Sequence, residues 1–257
     1  MIRICVLGSG SSGNCTLIAT EKTCVLIDLG FGKHSLERRL HWAGLADLKI
    51  DAILLTHGHL DHAHGVLPFV SEHNVSVFMN QGTRHELTEL LTIQRWEPFI
   101  TQSPFAIGDL WIKPFAVSHD AADPVGFHFT YQGICGALIT DLGEIDTVAL
   151  HLSDCHWLVL ESNHDEEMVK IGSYPWFLKQ RLLSNMGHLS NHALSVFLSH
   201  QFDGQAENIF LAHISRQNND PQIALKSASQ ALSGRLFRKP WQLHLTHQSK
   251  PSIVLTL

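Results

Sequence analysis

The alternation of apolar and polar positions divides the chain into short segments. Apolar runs over 2–7, 52–56, 75–79, 110–119, 126–133, 135–141, 156–162 and 208–213 predict strands. CTLIAT (15–20) and residues 23–28 predict a hairpin, and WQLHLTH (241–247) and SIVLTL (252–257) predict two closing strands. Helical spacing covers 33–44, ending at Gly44, then LPFVSEHN (67–74), 83–91, YPWFLKQRLLS (174–184), HALSVFLSHQ (192–201), and 221–232 with Pro221 in its first turn. Residues 52–56 are apolar throughout, the mark of a strand covered on both faces. Strands dominate the first half, and helices and strands alternate in the second. With no linker, repeat or low-complexity tract, the pattern predicts one α/β domain over 1–257, with sheets inside and helices outside.

Composition narrows the function. The formal charge of -6 argues against binding nucleic acid by bulk electrostatics, although a locally basic groove stays open. Five cysteines, none in a C-x-x-C pair, read as reduced and mostly buried thiols of a cytoplasmic protein. The first residues run straight into a strand rather than a signal peptide, and no apolar stretch approaches the roughly 20 residues of a membrane span. The 19 histidines are the unusual number, since neutral imidazole is a common metal ligand.

Five metal-capable side chains, His57, His59, Asp61, His62 and His64, crowd into LLTHGHLDHAHG (54–65), just after an apolar run. In an extended segment residues i and i+2 point the same way, so His57 and His59 can meet one metal. A helix beginning near Leu60 would turn Asp61 and His62 toward a second, and Gly58 permits the bend between them. His64 fits neither pair. A structural zinc site would more often recruit Cys, and none lies near. Three further apolar runs end in a metal-capable residue: FAVSH at His119, ALITD at Asp141 and IFLAH at His213. Open α/β folds gather functional groups at the carboxyl ends of strands.

This set, H57-x-H-x-D-H62 followed by His119, Asp141 and His213, resembles the metallo-β-lactamase superfamily. The resemblance implies a four-layer αβ/βα sandwich, with mixed sheets packed face to face, helices outside and two divalent metals between the sheet edges. It implies that His57, His59 and His119 hold one metal, that Asp61, His62 and His213 hold the other, and that Asp141 bridges them. GSGSSGNCTLI, ESNHD (161–165), YPWFLKQRL, GHLSN (187–191) and LAHISRQNN (211–219) are similar to the YycJ-like (WalJ) branch, associated with 5′-to-3′ exonuclease activity on DNA. Ribonuclease Z-type phosphodiesterases are also similar. The interval from Asp141 to His213 leaves no room for the extra domain of the β-CASP nucleases, and no long basic tRNA-gripping arm is evident.

Two metals about 3.5–4 Å apart acidify a water between them, and the resulting bridging hydroxide is the expected nucleophile. Asp61 would orient it and could accept a proton. His188, before a helix that Ser190 or Asn191 could cap, is the candidate general acid, as the similar segment of the ribonuclease Z-like enzymes implies. His164 is the second candidate, with orientation of a metal ligand as its alternative. Ser215 and Arg216, just past His213, are placed to meet a phosphate. Ser9, Ser11 and Asn14 could form an anion nest, or simply a Gly-rich turn. YPWFLKQRLL mixes aromatics with Lys179 and Arg181, as a base-stacking platform would, but reads better as an amphipathic helix covering the core. LFRKPW (236–241) reads as a solvated turn.

The expected protein is a phosphodiesterase, a nuclease acting on DNA, with two divalent ions among zinc, manganese, iron or nickel. The alternative substrate is small: a cyclic phosphodiester, thioester or lactone. The superfamily's diiron oxygen reductases usually carry Glu where this chain has His59, which argues against a redox reading. Oligomeric state is not legible.

Overall fold

A computed structural model describes residues 1–235 and 240–257. Most of the basic stretch 236–241 therefore lies outside the described residues.

Two sheets are laid down in sequence order. The first holds β1 (Arg3–Gly8), β2 (Cys15–Ala19), β3 (Cys24–Ile27), β4 (Ala52–Leu54), β5 (Ser76–Met79) and β6 (Trp96–Pro98). The second holds β7 (Phe105–Ile107), β8 (Leu110–Ala116), β9 (Val125–Tyr131), β10 (Ile134–Ile139), β11 (Trp157–Glu161), β12 (Asn208–Ala212) and β13 (Gln242–Leu245). β14 (Leu255–Thr256) then returns to the first sheet and pairs antiparallel with β1. Each sheet changes character at its middle strand. β3 pairs antiparallel with β2 and parallel with β4, and β10 pairs antiparallel with β9 and parallel with β11.

The helices are α1 (Lys33–Trp42), α2 (Leu60–Ala63), α3 (Val66–Glu72), α4 (Gln81–Glu86), α5 (Glu166–Ile171), α6 (Trp176–Leu182), α7 (Asn191–His200) and α8 (Pro221–Ser233), of which α1 and α3 pack on the outer face of the first sheet and α7 and α8 on that of the second. The strand period of two sorts side chains into three layers of core. Ile4 and Val6 of β1 face the second sheet, where they share a cluster with Phe127, Trp157 and Val159. Cys5 and Leu7 face the other way, toward Leu36 of α1 and Phe69 of α3. In β11, Leu158 and Leu160 face Leu194 of α7 and Ala228 of α8. The result is the expected α/β sandwich of two facing mixed sheets. β4 contributes to both the outer and the inner core, as its unbroken apolar run predicts.

Some elements differ from expectation. Residues 83–91 divide into α4 and a 3-10 turn over Thr88–Thr92, and 252–257 are strand only over Leu255–Thr256. β6 and β7 were not predicted: each has three residues, and Pro98 sits in β6. α5 was not predicted either, because its N-cap Asp165 lies in a segment read as a site loop. The correction with most consequence is α6, which does not cover the core. None of its residues is buried. Its polar partners are Asp120 and the Lys170 carbonyl rather than a sheet face.

All five cysteines are free, and four are buried. Burial pushes the Cys5 thiol up to about 11 and that of Cys24 to about 12, so neither is a thiolate near neutral pH.

Candidate metal centre

The carboxyl ends of β4, β8, β10 and β12 bring His57, His119, Asp141 and His213 to one place. Asp28, Asp141 and His213 each stand just after a strand, with φ of 59°, 59° and 54°. A non-glycine residue pays about 1–3 kcal/mol for such a conformation, which persists only where the surroundings fix it. Here the turn aims each side chain between the sheets.

Four overlapping groups could hold a metal: His57, His59 and His119; Asp61, His62 and His213; His57, His62 and Asp141; and Asp141, Glu161, His188 and His213. In the first group, His59 Nδ1 lies 3.1 Å from His57 Nε2 and 3.4 Å from His119 Nε2. Atoms about 2.0–2.1 Å from a tetrahedral zinc would stand about 3.3–3.4 Å apart, so the edges match. Thr56 Oγ1 donates to Asp28, so it accepts from His57 Nδ1 at 2.9 Å. His119 Nδ1 donates to Gly187 O at 3.0 Å. Both Nε2 atoms therefore carry lone pairs aimed at His59 Nδ1, which can donate to one of them or, together with them, meet a cation. Burial, with His62 and other charges adding or opposing, holds His57 well below the usual imidazole range. Burial also lowers His119. Both stay neutral, as ligands must.

The second group is charged. Asp61 Oδ2 lies 3.7 Å from His62 Nε2 and 3.8 Å from His213 Nε2. His62 Nε2 is 2.7 Å from Asp141 Oδ2. His213 Nε2 and Asp141 Oδ2 are buried without a partner in hydrogen-bond geometry, which a cation between them would resolve. Burial opposes charge on His62 and His213, but Asp141 outweighs it. With the nearby Asp61 carboxylate and the hydrogen bond to Glu161 adding to its effect, His213 rises to about 10. Burial likewise opposes ionisation of Asp141, but His213 and His62 carry it well below the usual carboxylate range. The donor set of imidazoles and carboxylates fits a pair of divalent cations.

Two buried carboxylates orient these rings. Asp28 Oδ2 accepts from His62 Nδ1 at 2.7 Å, and Asp28 Oδ1 accepts from the Thr56 amide at 2.9 Å. Glu161 Oε1 accepts from His213 Nδ1 at 2.7 Å and from His188 Nδ1 at 2.8 Å, while Oε2 accepts from the amides of Leu142 and Leu189. Fixing Nδ1 in this way presents Nε2 inward, the arrangement that raises ligand basicity at metal centres. Asp28, Thr56 and Glu161 were not singled out from sequence. Yet TCVLID and LVLE end in acids just as ALITD does, and the same strand-end rule could have found both carboxylates.

The other expected site residues scatter. His188 is part-buried, between His119 and His213 at ring-centroid distances of 5.2 and 5.0 Å. Burial opposes its charge, but Glu161 and Asp141 raise it. His164 is buried behind, belongs to none of the metal-capable groups, and has a hydrogen-bond-free Nδ1; burial lowers it to about 4. His64 is exposed and outside every group. Asn14 is not free for a phosphate: Nδ2 lies 2.9 Å from His62 Nε2, and Oδ1 accepts from the Gly10 amide. The amides of Ser9, Gly13 and Asn14 are likewise spent within the protein, which removes most of the expected anion nest. Ser11 is exposed. Ser9, Ser215 and Arg216 line one cavity of about 370 Å³ together with His247 and Gln248. Ser9 Oγ accepts from the His213 amide at 2.8 Å, so this cavity adjoins the metal centre.

Comparison with known proteins agrees with this geometry. Residues 8–137 match the metallo-beta-lactamase superfamily. An exodeoxyribonuclease YycJ of Bacillus anthracis is 32% identical over 253 residues, covering 96% of each chain. An exodeoxyribonuclease WalJ of Streptococcus pneumoniae is 32% identical over 225 residues, covering 85% of this chain and 84% of that one. Among solved structures, the metallo-beta-lactamase fold protein YhfI of Bacillus subtilis superposes with a TM-score of 0.74 at 15% identity, covering 97% of this chain and 98% of that one.

Proposed function

The chain belongs to the metallo-beta-lactamase superfamily, and from that premise we propose that residues 1–257 act as one domain that hydrolyses phosphodiesters at the ends of DNA with two divalent metals. The observation that carries the reading is the set of buried imidazoles whose Nδ1 atoms are taken by protein acceptors, so that their Nε2 atoms converge. The names of the two relatives point to DNA as the substrate.

His57, His59 and His119 would hold one metal, and Asp61, His62 and His213 the other, with Asp141 between them. Metals held there would supply an acidified water and a clamp on phosphate oxygens. The chain supplies the rest. Burial opposes ionisation of Asp61, but the nearby rings of His213 and His62 keep it ionised, able to take a proton at Oδ2. His188, held by Glu161 through Nδ1, would deliver a proton from Nε2 to the departing oxygen. Ser9, Ser215 and Arg216 would hold a neighbouring phosphate in their cavity. His164, buried behind this layer, fits the positioning alternative better than proton transfer.

The test is hydrolysis of bis-p-nitrophenyl phosphate and of end-labelled DNA after loading with zinc, manganese, iron or nickel. Release of nucleotides from DNA, abolished by chelation and restored by metal, is the expected result. A second reading, hydrolysis of a small cyclic phosphodiester, thioester or lactone, is favoured by the net charge of -6. Turnover of those substrates without turnover of DNA would establish it. Among the described residues no helix is long and apolar enough to cross a membrane. We place the protein in the cytoplasm, which fractionation tests.

A further inference from the structure

Helix α6 opens with two adjacent aromatic residues, Trp176 and Phe177, exposed 69% and 67%. Ile171 before it is 82% exposed, and Leu183 and Met186 after it are exposed too. Five large apolar side chains exposed within sixteen residues of chain are more than the scattered singles of ordinary surface, and such groupings mark interaction sites.

Its position says which one. Arg181 of α6 pairs with Asp120, whose other oxygen lies 3.3 Å from His119 Nε2. The Leu182 carbonyl accepts from the His188 amide at 3.2 Å, and the Gly187 carbonyl accepts from His119 at 3.0 Å. The helix is thus fastened to the rim of the metal centre, between a candidate ligand and the candidate acid. The chain's charge of -6 leaves little bulk attraction for phosphates, so a nucleic acid must be gripped largely by another means. Base faces stacking on aromatic rings are that means, and they need no particular sequence. Lys179 and Arg181 give the same helix its positive charge.

We propose that α6 is a stacking platform on which Trp176 and Phe177 take unpaired bases of a DNA strand whose phosphodiester lies in the metal centre. This rests on the nuclease reading of that centre. Paired bases hide their faces, so the strand held here is single or frayed.

The test is the double variant Trp176→Ala with Phe177→Ala, metal-loaded, alongside Trp176→Phe with Phe177→Trp. For a short single-stranded DNA, KM should rise about ten- to hundredfold in the alanine variant, as loss of base stacking predicts. Turnover of bis-p-nitrophenyl phosphate should stay within about twofold, because only uniform binding is lost. The aromatic swap should restore KM. An unchanged KM in an alanine variant that still cleaves bis-p-nitrophenyl phosphate would overturn the platform. So would sedimentation showing a parental dimer that the alanine variant dissolves, since a second copy would then cover the patch. A parent unable to cleave any phosphodiester would instead overturn the reading beneath.

Discussion

The two sheets repeat one topology, and their middle strands end alike. Asp28 follows β3 and Asp141 follows β10, both at φ 59°. From the same backbone conformation the two carboxylates do different work. Asp28 is saturated: the Thr56 amide, the Thr56 hydroxyl and His62 Nδ1 all donate to it. Asp141 faces His62, His188 and His213, and Oδ2 has no hydrogen bond. One carboxylate is a support and the other is open to a cation. A strand-end acid is therefore read by what its oxygens lack, not by where it stands.

Substitution should expose the contrast. Asp141→Asn is expected to lower turnover of bis-p-nitrophenyl phosphate beyond about a hundredfold, and Asp28→Asn by about 10- to 100-fold, the range for an outer support. Equal losses would break the distinction between the two positions. His188→Ala sharpens it within the second sheet's contribution. Loss of a general acid should slow cleavage of DNA by about 10²- to 10⁴-fold, yet hardly touch p-nitrophenolate release, because that leaving group needs no proton. A uniform loss on both substrates would remove His188 from the proton pathway.

Glu161 supports the second sheet's side as Asp28 supports the first. Burial opposes its ionisation, but His188 and His213 hold it down at about 2, against an ordinary 4.5. A depressed folded-state value contributes stability that is present above about pH 4.5 and lost as pH falls toward 2. Metal-free protein should lose melting temperature across that window. Glu161→Gln should be less stable at pH 7 and flatter through the acid range, and a parallel pair of curves would deny Glu161 this role. The smallest effect is expected at Thr56→Val, which removes the hydroxyl linking His57 to Asp28. About tenfold weaker metal affinity is expected, recovered by Thr56→Ser, and competition against a chelator measures it.

Much of the candidate metal centre was legible because its metal-capable residues are either clustered, as in residues 57–62, or placed at the ends of apolar runs, as with His119, Asp141 and His213. Asp28 and Glu161 escaped although they obey the same rule, because sequence does not separate a ligand from the residue behind it. The contacts of Asn14 were not legible because its amide's partners, His62 and Asp61, lie far along the chain. Sheets inside and helices outside followed from the apolar pattern, and the facing of the two sheets from the family resemblance. α6 did not, since its apolar positions meet no sheet face, and periodicity records only that a face is apolar, not that anything covers it.

The central claim is that strand ends from both sheets jointly hold two cations. Metal per chain, counted after saturation and dialysis, tests it most directly. The account predicts about two equivalents in the parent and about one in each of His59→Ala and His213→Ala. Retention of the parental count in both variants would contradict it.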